Sequence, residues 1–149
     1  MNLHTVGWQR SGDRVEDTEL LVIDASATLQ TVETARGFDL LRDPDLVAPP
    51  LMWSEARSVL HERMWRGEIE RAFAERMRDL VTEAPVRVRT HRRLGDEAWR
   101  LADLLGWART YDAEYVALAS LLRCRLVTVD GRLRRGADRL GFVIGPAEL

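Results

Sequence analysis

The stretch LLVIDASATL, residues 20–29, decides how this chain folds. Its apolar run, Leu20 to Ile23, has the length of a short buried strand, and Asp24 ends it. Ala25 to Arg36 has the composition of a helix, and Gly37 is a typical residue at a helix end. Asp24 therefore predicts either a helix N-cap or a carboxylate at the carboxyl end of a buried strand. For one isolated aspartate the cap is the more frequent role.

Strand-like and helix-like patterns alternate through the rest of the chain. The further strand-like runs are Leu46 to Ala48, Val86 to Val88, Leu126 to Val129 and Phe142 to Ile144. The helical patterns begin near Leu51, Ile69, Leu94, Tyr111 and Leu133. In the first of these, the expected buried stripe is Met52, Ala56, Val59, Leu60 and Met64. This alternation predicts an α/β fold with a mostly parallel sheet and helices on both faces.

Length and composition indicate one ordinary domain. The chain has 149 residues, 46% hydrophobic and 31% charged, which is typical of a globular protein. No apolar run approaches the roughly 18 residues that a membrane span needs. Residues 1–19 are polar and acidic, so we interpret them as a polar extension and not as a signal peptide, with residues 20–149 as the folded domain. We expect a cytoplasmic protein.

Cysteine and histidine offer little chemistry. Cys124 is the only cysteine, so no disulfide forms within the chain, and its apolar neighbours predict a small buried residue. His4, His61 and His91 are too scattered for a local metal motif such as HExxH.

The basic residues are all arginine, 22 of them, and the formal net charge is -2. No strong overall field therefore draws the protein to nucleic acid. The arginines nevertheless form two groups: Arg87, Arg89, Arg92 and Arg93, and then Arg132, Arg134, Arg135 and Arg139. Either group has an ordinary interpretation as a solvated surface. Either could also bind phosphate locally, because a guanidinium group contacts phosphate in bidentate fashion.

Four carboxylates lie after strand-like runs or along the apolar faces of helices. Asp24 and Asp130 each end a strand-like run, and ligands of open α/β sheets bind at the carboxyl ends of strands. Asp130-Gly131 also resembles a tight hairpin turn, although the residues after it lack the alternation of a strand. Glu55 borders the apolar face of its helix, where most glutamates reach out to water. Asp112 lies in line with a buried stripe, with helix capping as its alternative role.

Glu114 points about 200° around the helix from Asp112, so we expect it to be exposed.

Four carboxylates brought together would repel one another unless a cation offset their charge. Mg²⁺ or Mn²⁺ prefers such oxygen ligands and keeps waters for a substrate phosphate. The pattern fits a metal-dependent phosphodiesterase.

Four stretches, in order, resemble the PIN-domain endoribonucleases, particularly the VapC-type toxins. They are VIDAS at Val22 to Ser26, WSEARSVL around Glu55, YDAEYVALA at Tyr111 to Ala119, and LVTVD at Leu126 to Asp130. The resemblance implies a PIN-like three-layer sandwich with four acids at one edge of the sheet: Asp24, Glu55, Asp112 and Asp130.

The resemblance also implies the chemistry and the partners. Three aspartates would hold Mg²⁺ or Mn²⁺, Glu55 would bind a second ion or orient water, and metal-activated water would cleave RNA to a 5′-phosphate and a 3′-hydroxyl. Ser26 and Thr128 would support the carboxylates. The expected partners are an RNA substrate, a cognate antitoxin laid across a groove near the acids, and a second copy in a homodimer. The expected RNA contacts are Arg109, Arg132, Arg134 and Arg135.

Two other classes of function remain open at this point. One is a PIN-like RNA- or protein-binding module without catalysis. The other is a phosphatase or phosphoacceptor that uses an aspartate after its first strand. The haloacid-dehalogenase pattern, however, needs a second aspartate where Ser26 stands, and a receiver domain would want a lysine, which this chain lacks.

The helix from Leu51 is wider in apolar surface than one buried face requires. Trp53 and Trp65 add to its apolar stripe. Either they complete the core, or one of them contributes to an antitoxin groove or a dimer interface.

Overall fold

The computed structural model describes residues 18–149. In this part of the chain five strands form one sheet: β1 (Leu20–Ile23), β2 (Asp45–Ala48), β3 (Val86–Val88), β4 (Arg125–Val127) and β5 (Val143–Ile144). Six α-helices flank it: α1 (Ala25–Glu33), α2 (Leu51–Trp65), α3 (Arg71–Glu83), α4 (Leu94–Leu105), α5 (Tyr111–Leu122) and α6 (Gly131–Ala137). Three short 3-10 helices cover Gly37–Leu41, Asp138–Leu140 and Pro146–Glu148. The predicted α/β sandwich is confirmed.

The sheet is parallel throughout, in the order β3-β2-β1-β4-β5. β1 is the central strand, and Leu21, Val22 and Ile23 have no exposed surface, as expected for a parallel strand covered on both faces. Val22 is in register with Val47 of β2 and with Leu126 of β4. The carboxyl ends of β1 and β4 therefore meet at the same edge of the sheet, which is where ligands bind in such folds.

The helices pack in two groups. α4 packs against α5, and α5 lies against β1 and β4. α1 packs against both α2 and α3, which also pack against each other. α5 is the most deeply buried helix, with an unbroken run of buried residues from Tyr115 to Ala119. None of the helices within residues 18–149 combines the length and apolar character that crossing a membrane would require.

Several element ends differ from the sequence prediction. α1 ends at Glu33 and not at Arg36, because both the hydroxyl and the backbone amide of Thr34 donate hydrogen bonds to the Thr31 carbonyl. Gly37, with φ of +51°, begins the following 3-10 helix instead of ending α1. β4 ends at Val127, two residues earlier than expected, and Val129 is exposed.

Burial also corrects some predictions for single residues. The buried stripe of α2 is Met52, Ala56 and Leu60, at a spacing of four, so Val59 falls outside it and is exposed. Val88 is 60% exposed although Val86 is buried, because β3 is the edge strand and Val88 is its last residue. Cys124 is half-buried and not fully enclosed.

The predicted boundary between a polar extension and the domain stays a prediction. Residues 1–17 of the expected extension 1–19 lie outside the described residues. Thr18 and Glu19 are exposed, and Glu19 forms an ion pair with Arg125 at the start of β4.

Candidate functional site

Asp24 is both a helix cap and a buried carboxylate at the end of β1. It has an extended backbone, and its Oδ1 accepts hydrogen bonds from the Ala27 amide at 2.8 Å and the Ser26 hydroxyl at 2.7 Å. Its Oδ2 accepts a short hydrogen bond from the Thr128 hydroxyl. The side chain is only 3% exposed. The two interpretations of this aspartate are therefore compatible, since one oxygen caps α1 while the other faces β4.

The hydroxyls of Ser26 and Thr128 connect the ends of the two central strands. Their oxygens lie 3.2 Å apart, and each hydroxyl contacts the carboxylate of Asp24. The Ser26 oxygen accepts from the Val129 amide at 3.2 Å, and the Thr128 oxygen accepts from the Asp130 amide at 3.0 Å. This network fixes the segment that follows β4 relative to Asp24.

Asp130 begins α6, so the hairpin alternative is wrong. Its Oδ1 accepts hydrogen bonds from the amides of Arg132 at 2.8 Å and Leu133 at 3.4 Å, as an N-cap does. Its second oxygen takes no part in this cap. An open groove of about 410 Å³ borders Asp130 and is lined also by Gln30, Thr128, Val129, Gly131 and Arg134.

Glu55 is half-buried on α2 and is held by a residue from another helix. Its Oε2 accepts a hydrogen bond of 3.0 Å from the hydroxyl of Tyr115 on α5. Burial raises the pKa of the Glu55 carboxyl, and the Tyr115 hydrogen bond opposes that rise. Three further charges raise the pKa of Glu55: those of Asp112, Asp24 and Asp130. Glu55 thus shares one electrostatic environment with the other acids.

Asp112 is half-buried in the first turn of α5. Burial raises the pKa of its carboxyl, the charge of Asp130 raises it further, and the positive charge of Arg132 lowers it. The pKa of Asp24 is raised to about 6, mainly by burial, and the charge of Asp130 adds to the rise. The charge of Asp130 thus raises the pKa of each of the other three predicted acids.

The donor set fits a hard, partly hydrated cation. Within residues 18–149 no three Asp, Glu, His or Cys side chains are already gathered closely enough to hold a metal ion. Magnesium, however, is commonly bound through one or two carboxylates while it keeps several waters. A bound cation would also favour the ionised form of Asp24, Glu55 and Asp112, whose pKa values are raised, and Asp130 adds a further carboxylate oxygen. Asp24, Asp112, Asp130 and Glu55 thus suit a divalent ion that reaches some of them through water.

Two residues of α5 differ from what the sequence indicated. Glu114 was expected to be exposed but is half-buried, and burial raises the pKa of its carboxyl. The helical angle assumes one buried face, whereas α5 packs against α4 as well as β1 and β4. Tyr115 is buried on this helix, and no motif indicates that its hydroxyl reaches Glu55, sixty positions away.

The expected RNA-contacting arginines are not equivalent. Arg109 is exposed on the loop before α5, and Arg132 and Arg135 are exposed on α6. Arg134 is half-buried and forms an ion pair with Glu148, so its guanidinium already has a partner. The loop that carries Arg109 is braced against α6, since the Trp107 ring packs on Gly136.

Replacing Asp24 by Asn should stabilise the metal-free protein above pH 6. The raised pKa means that the folded state binds the proton more tightly than the unfolded state. The stability that Asp24 adds to the folded state by binding this proton is therefore fully present below pH 3.8, and it is lost as the pH rises through about 6. Two pKa units correspond to about 2–3 kcal/mol. Asn keeps an oxygen for the Ala27 amide without the charge. Urea unfolding in EDTA at pH 4 and pH 8 would measure the difference.

Asp39→Asn, at an exposed carboxylate on a 3-10 helix, is the control and should follow the parent. An identical loss of unfolding free energy between pH 4 and pH 8 in the parent and in Asp24→Asn would contradict the assignment of a strained charge to Asp24.

Comparison with known proteins places the chain in a family. The family model of the PIN domain matches residues 21–139. VapC ribonuclease Mb0985 of Mycobacterium bovis is 34% identical over 120 residues, which cover 76% of this chain and 88% of that protein. Ribonuclease VapC9 of Mycobacterium tuberculosis matches to the same extent.

A solved structure agrees with these sequence matches. The crystal structure of PAE2754 from Pyrobaculum aerophilum superposes with a TM-score of 0.72 at 25% identity, over 89% of this chain and 93% of that one. The matched residues 21–139 include all four acids of the candidate site. This chain belongs to the PIN-domain family, and within it to the VapC type.

Proposed function

We propose that this chain is a Mg²⁺- or Mn²⁺-dependent endoribonuclease and the toxin of a toxin–antitoxin pair. The observation that carries the proposal is a pair of hydrogen-bonded links between the elements that carry the four acids. Thr128 links Asp24 to the Asp130 amide, and Tyr115 of α5, the helix of Asp112, holds Glu55 of α2. Relatives named as VapC ribonucleases support the same activity, since they cover most of the chain.

Each residue has a distinct task in this proposal. Hydrogen bonds from Ser26, Thr128 and the Ala27 amide fix Asp24 in one orientation. Its carboxylate would therefore lose little conformational freedom on binding a cation. Asp112 and Asp130 supply further oxygens, and Glu55 binds a second ion or orients water. A bound Mg²⁺ or Mn²⁺ would activate water and stabilise the negative charge that develops on the phosphate.

The arginines supply attraction for the RNA backbone. Arg109, Arg132 and Arg135 are exposed on the α4–α5 loop and α6, the elements that carry or adjoin Asp112 and Asp130. Guanidinium groups there would hold phosphates close to the acids, although the whole protein is slightly acidic. Arg134 contributes least, because it is paired with Glu148.

Asp112→Asn should lower cleavage of single-stranded RNA by about 100-fold or more, because it removes a charge that attracts the cation. No hydrogen bond ties this side chain to the cap of α5, so the fold should survive. Cleavage of end-labelled RNA with Mg²⁺ or Mn²⁺ measures the effect, and EDTA should abolish activity of the parent.

Glu114→Gln is the matched control, since Glu114 lies on the same helix and burial alone perturbs its pKa. It should cleave as the parent does. Full activity in purified Asp112→Asn would remove Asp112 from the site. A parent that binds RNA without cutting it would favour the non-catalytic binding module, and hydrolysis of phosphomonoesters alone would favour a phosphatase.

We further propose that Trp65 contacts a protein partner, either the antitoxin or a second copy of the chain. Trp65 lies at the end of α2 and is 81% exposed, whereas Trp53 is half-buried and packs against the core. The core alternative therefore applies to Trp53. Met64, the residue before Trp65, lines a groove between α2 and α3 together with Arg57, His61, Arg71 and Arg78 among others.

Trp65→Ala should weaken antitoxin binding or self-association, because a large exposed aromatic is typical of such contacts. It should leave metal-dependent cleavage unchanged. Trp53→Ala should instead lower the free energy of unfolding by about 1–3 kcal/mol. Sedimentation with and without the cognate antitoxin measures both associations. If Trp65→Ala sediments as the parent in both experiments, the interface lies elsewhere.

A further inference from the structure

Tyr115 is the largest side chain in the described structure with almost no exposed surface, yet it carries a polar group. A buried hydroxyl without a hydrogen bond is costly, so its partner matters. Here the partner is the Oε2 atom of Glu55, at 3.0 Å on a different helix. The Ala25 backbone, next to Asp24, also interacts with the phenolic oxygen. The hydroxyl thus lies between α2 and α5, beside the start of α1.

Glu55 has several rotatable bonds and is only half-buried, so it would otherwise adopt several rotamers. Tyr115 has two such bonds, and the packing of the core fixes its ring. A hydrogen bond from a rigid donor to a flexible carboxylate restricts the carboxylate. Asp112 lies three positions before Tyr115 on the same helix face, so α5 supplies one acid and restrains another.

We propose that Tyr115 is a positioning residue that holds the Glu55 carboxylate toward the other acids of the site. This inference rests on the proposed metal-dependent activity, and it assigns a task to a residue that does not itself contact the RNA or the ion. Groups that orient metal-binding side chains commonly change metal affinity or activity by about 10- to 100-fold when they are removed.

A purely structural role predicts something different. In that case the hydroxyl bonds to Glu55 only because a buried donor needs an acceptor, and its removal would change folding stability alone. The two roles separate in a double-mutant cycle, because a residue that acts through Glu55 loses its effect when Glu55 is already altered.

The cycle uses Tyr115→Phe, Glu55→Gln and the double variant. Phe keeps the ring and removes only the hydroxyl, so the core stays filled. Calorimetric titration with Mn²⁺ gives metal affinity, and RNA cleavage gives kcat and KM. We expect Tyr115→Phe to weaken Mn²⁺ binding and lower kcat, each by about tenfold, with the KM for RNA unchanged. In the Glu55→Gln background the same substitution should have no further effect.

Tyr111→Phe is the matched control. It removes a hydroxyl from the other tyrosine of α5, which is 58% exposed, and it should behave as the parent. Urea unfolding of all variants reports any change in stability separately from metal binding.

The outcomes distinguish this inference from the proposed function. If the parent cleaves RNA and Glu55→Gln is impaired, but the effects of Tyr115→Phe and Glu55→Gln on Mn²⁺ affinity and kcat are independent, the positioning role is overturned alone. Coupling confined to the unfolding free energy also overturns it in favour of the structural role. If the parent binds Mn²⁺ without cleaving RNA, the nuclease proposal fails, and coupling in Mn²⁺ affinity still decides the role of Tyr115. A parent that neither binds Mn²⁺ nor cleaves RNA would overturn both.

Discussion

The hydrogen bond from Thr128 to Asp24 joins the end of the central strand, β1, to the end of its neighbour β4, and the arrangement of the site depends on this bond. β1 and β4 lie side by side, so a carboxylate at the end of one meets a hydroxyl at the end of the other. The same hydroxyl oxygen accepts from the Asp130 amide, which sets where α6 begins. One threonine thus relates two acids that are far apart in sequence.

This arrangement opposes the ordinary preference of charges for water. Asp24 is almost completely buried, the other three acids are half-buried, and the charge of Asp130 raises the pKa of Asp24, Glu55 and Asp112. Hydrogen bonds from Ser26, Thr128 and the Ala27 amide offset part of the cost for Asp24, but the charge remains unfavourable. Strain concentrated in this way is common at functional sites, where a ligand relieves it.

Sequence reasoning succeeded where local chemistry and tertiary structure agree. The run from Leu20 to Ile23 is a buried central strand, and Asp24 ends this strand at a helix cap. Each of these features has a cause within a few residues. The four acids likewise stood out by their place after strands or along helical stripes, and in the structure the charge of Asp130 acts on the other three.

The features that sequence reasoning missed depend on contacts between distant elements. Nothing near Tyr115 indicates that its hydroxyl meets Glu55, and nothing near Arg134 indicates an ion pair with Glu148. Glu114 is half-buried on α5, which packs against α4 and the sheet, and a helical wheel of α5 alone does not include these neighbours. Val88 is exposed because its strand is at the sheet edge, and the sequence of one strand does not predict its place in the sheet.

The central claim is that the four carboxylates form one divalent-metal site. Diffraction from crystals soaked in Mn²⁺, with data collected at the manganese absorption edge, tests this claim most directly. The account predicts an anomalous peak beside Asp24 and at least one of Asp112 and Asp130, with waters completing the coordination. A manganese peak that forms only elsewhere on the protein, or none in crystals whose site is open to solvent, would contradict it.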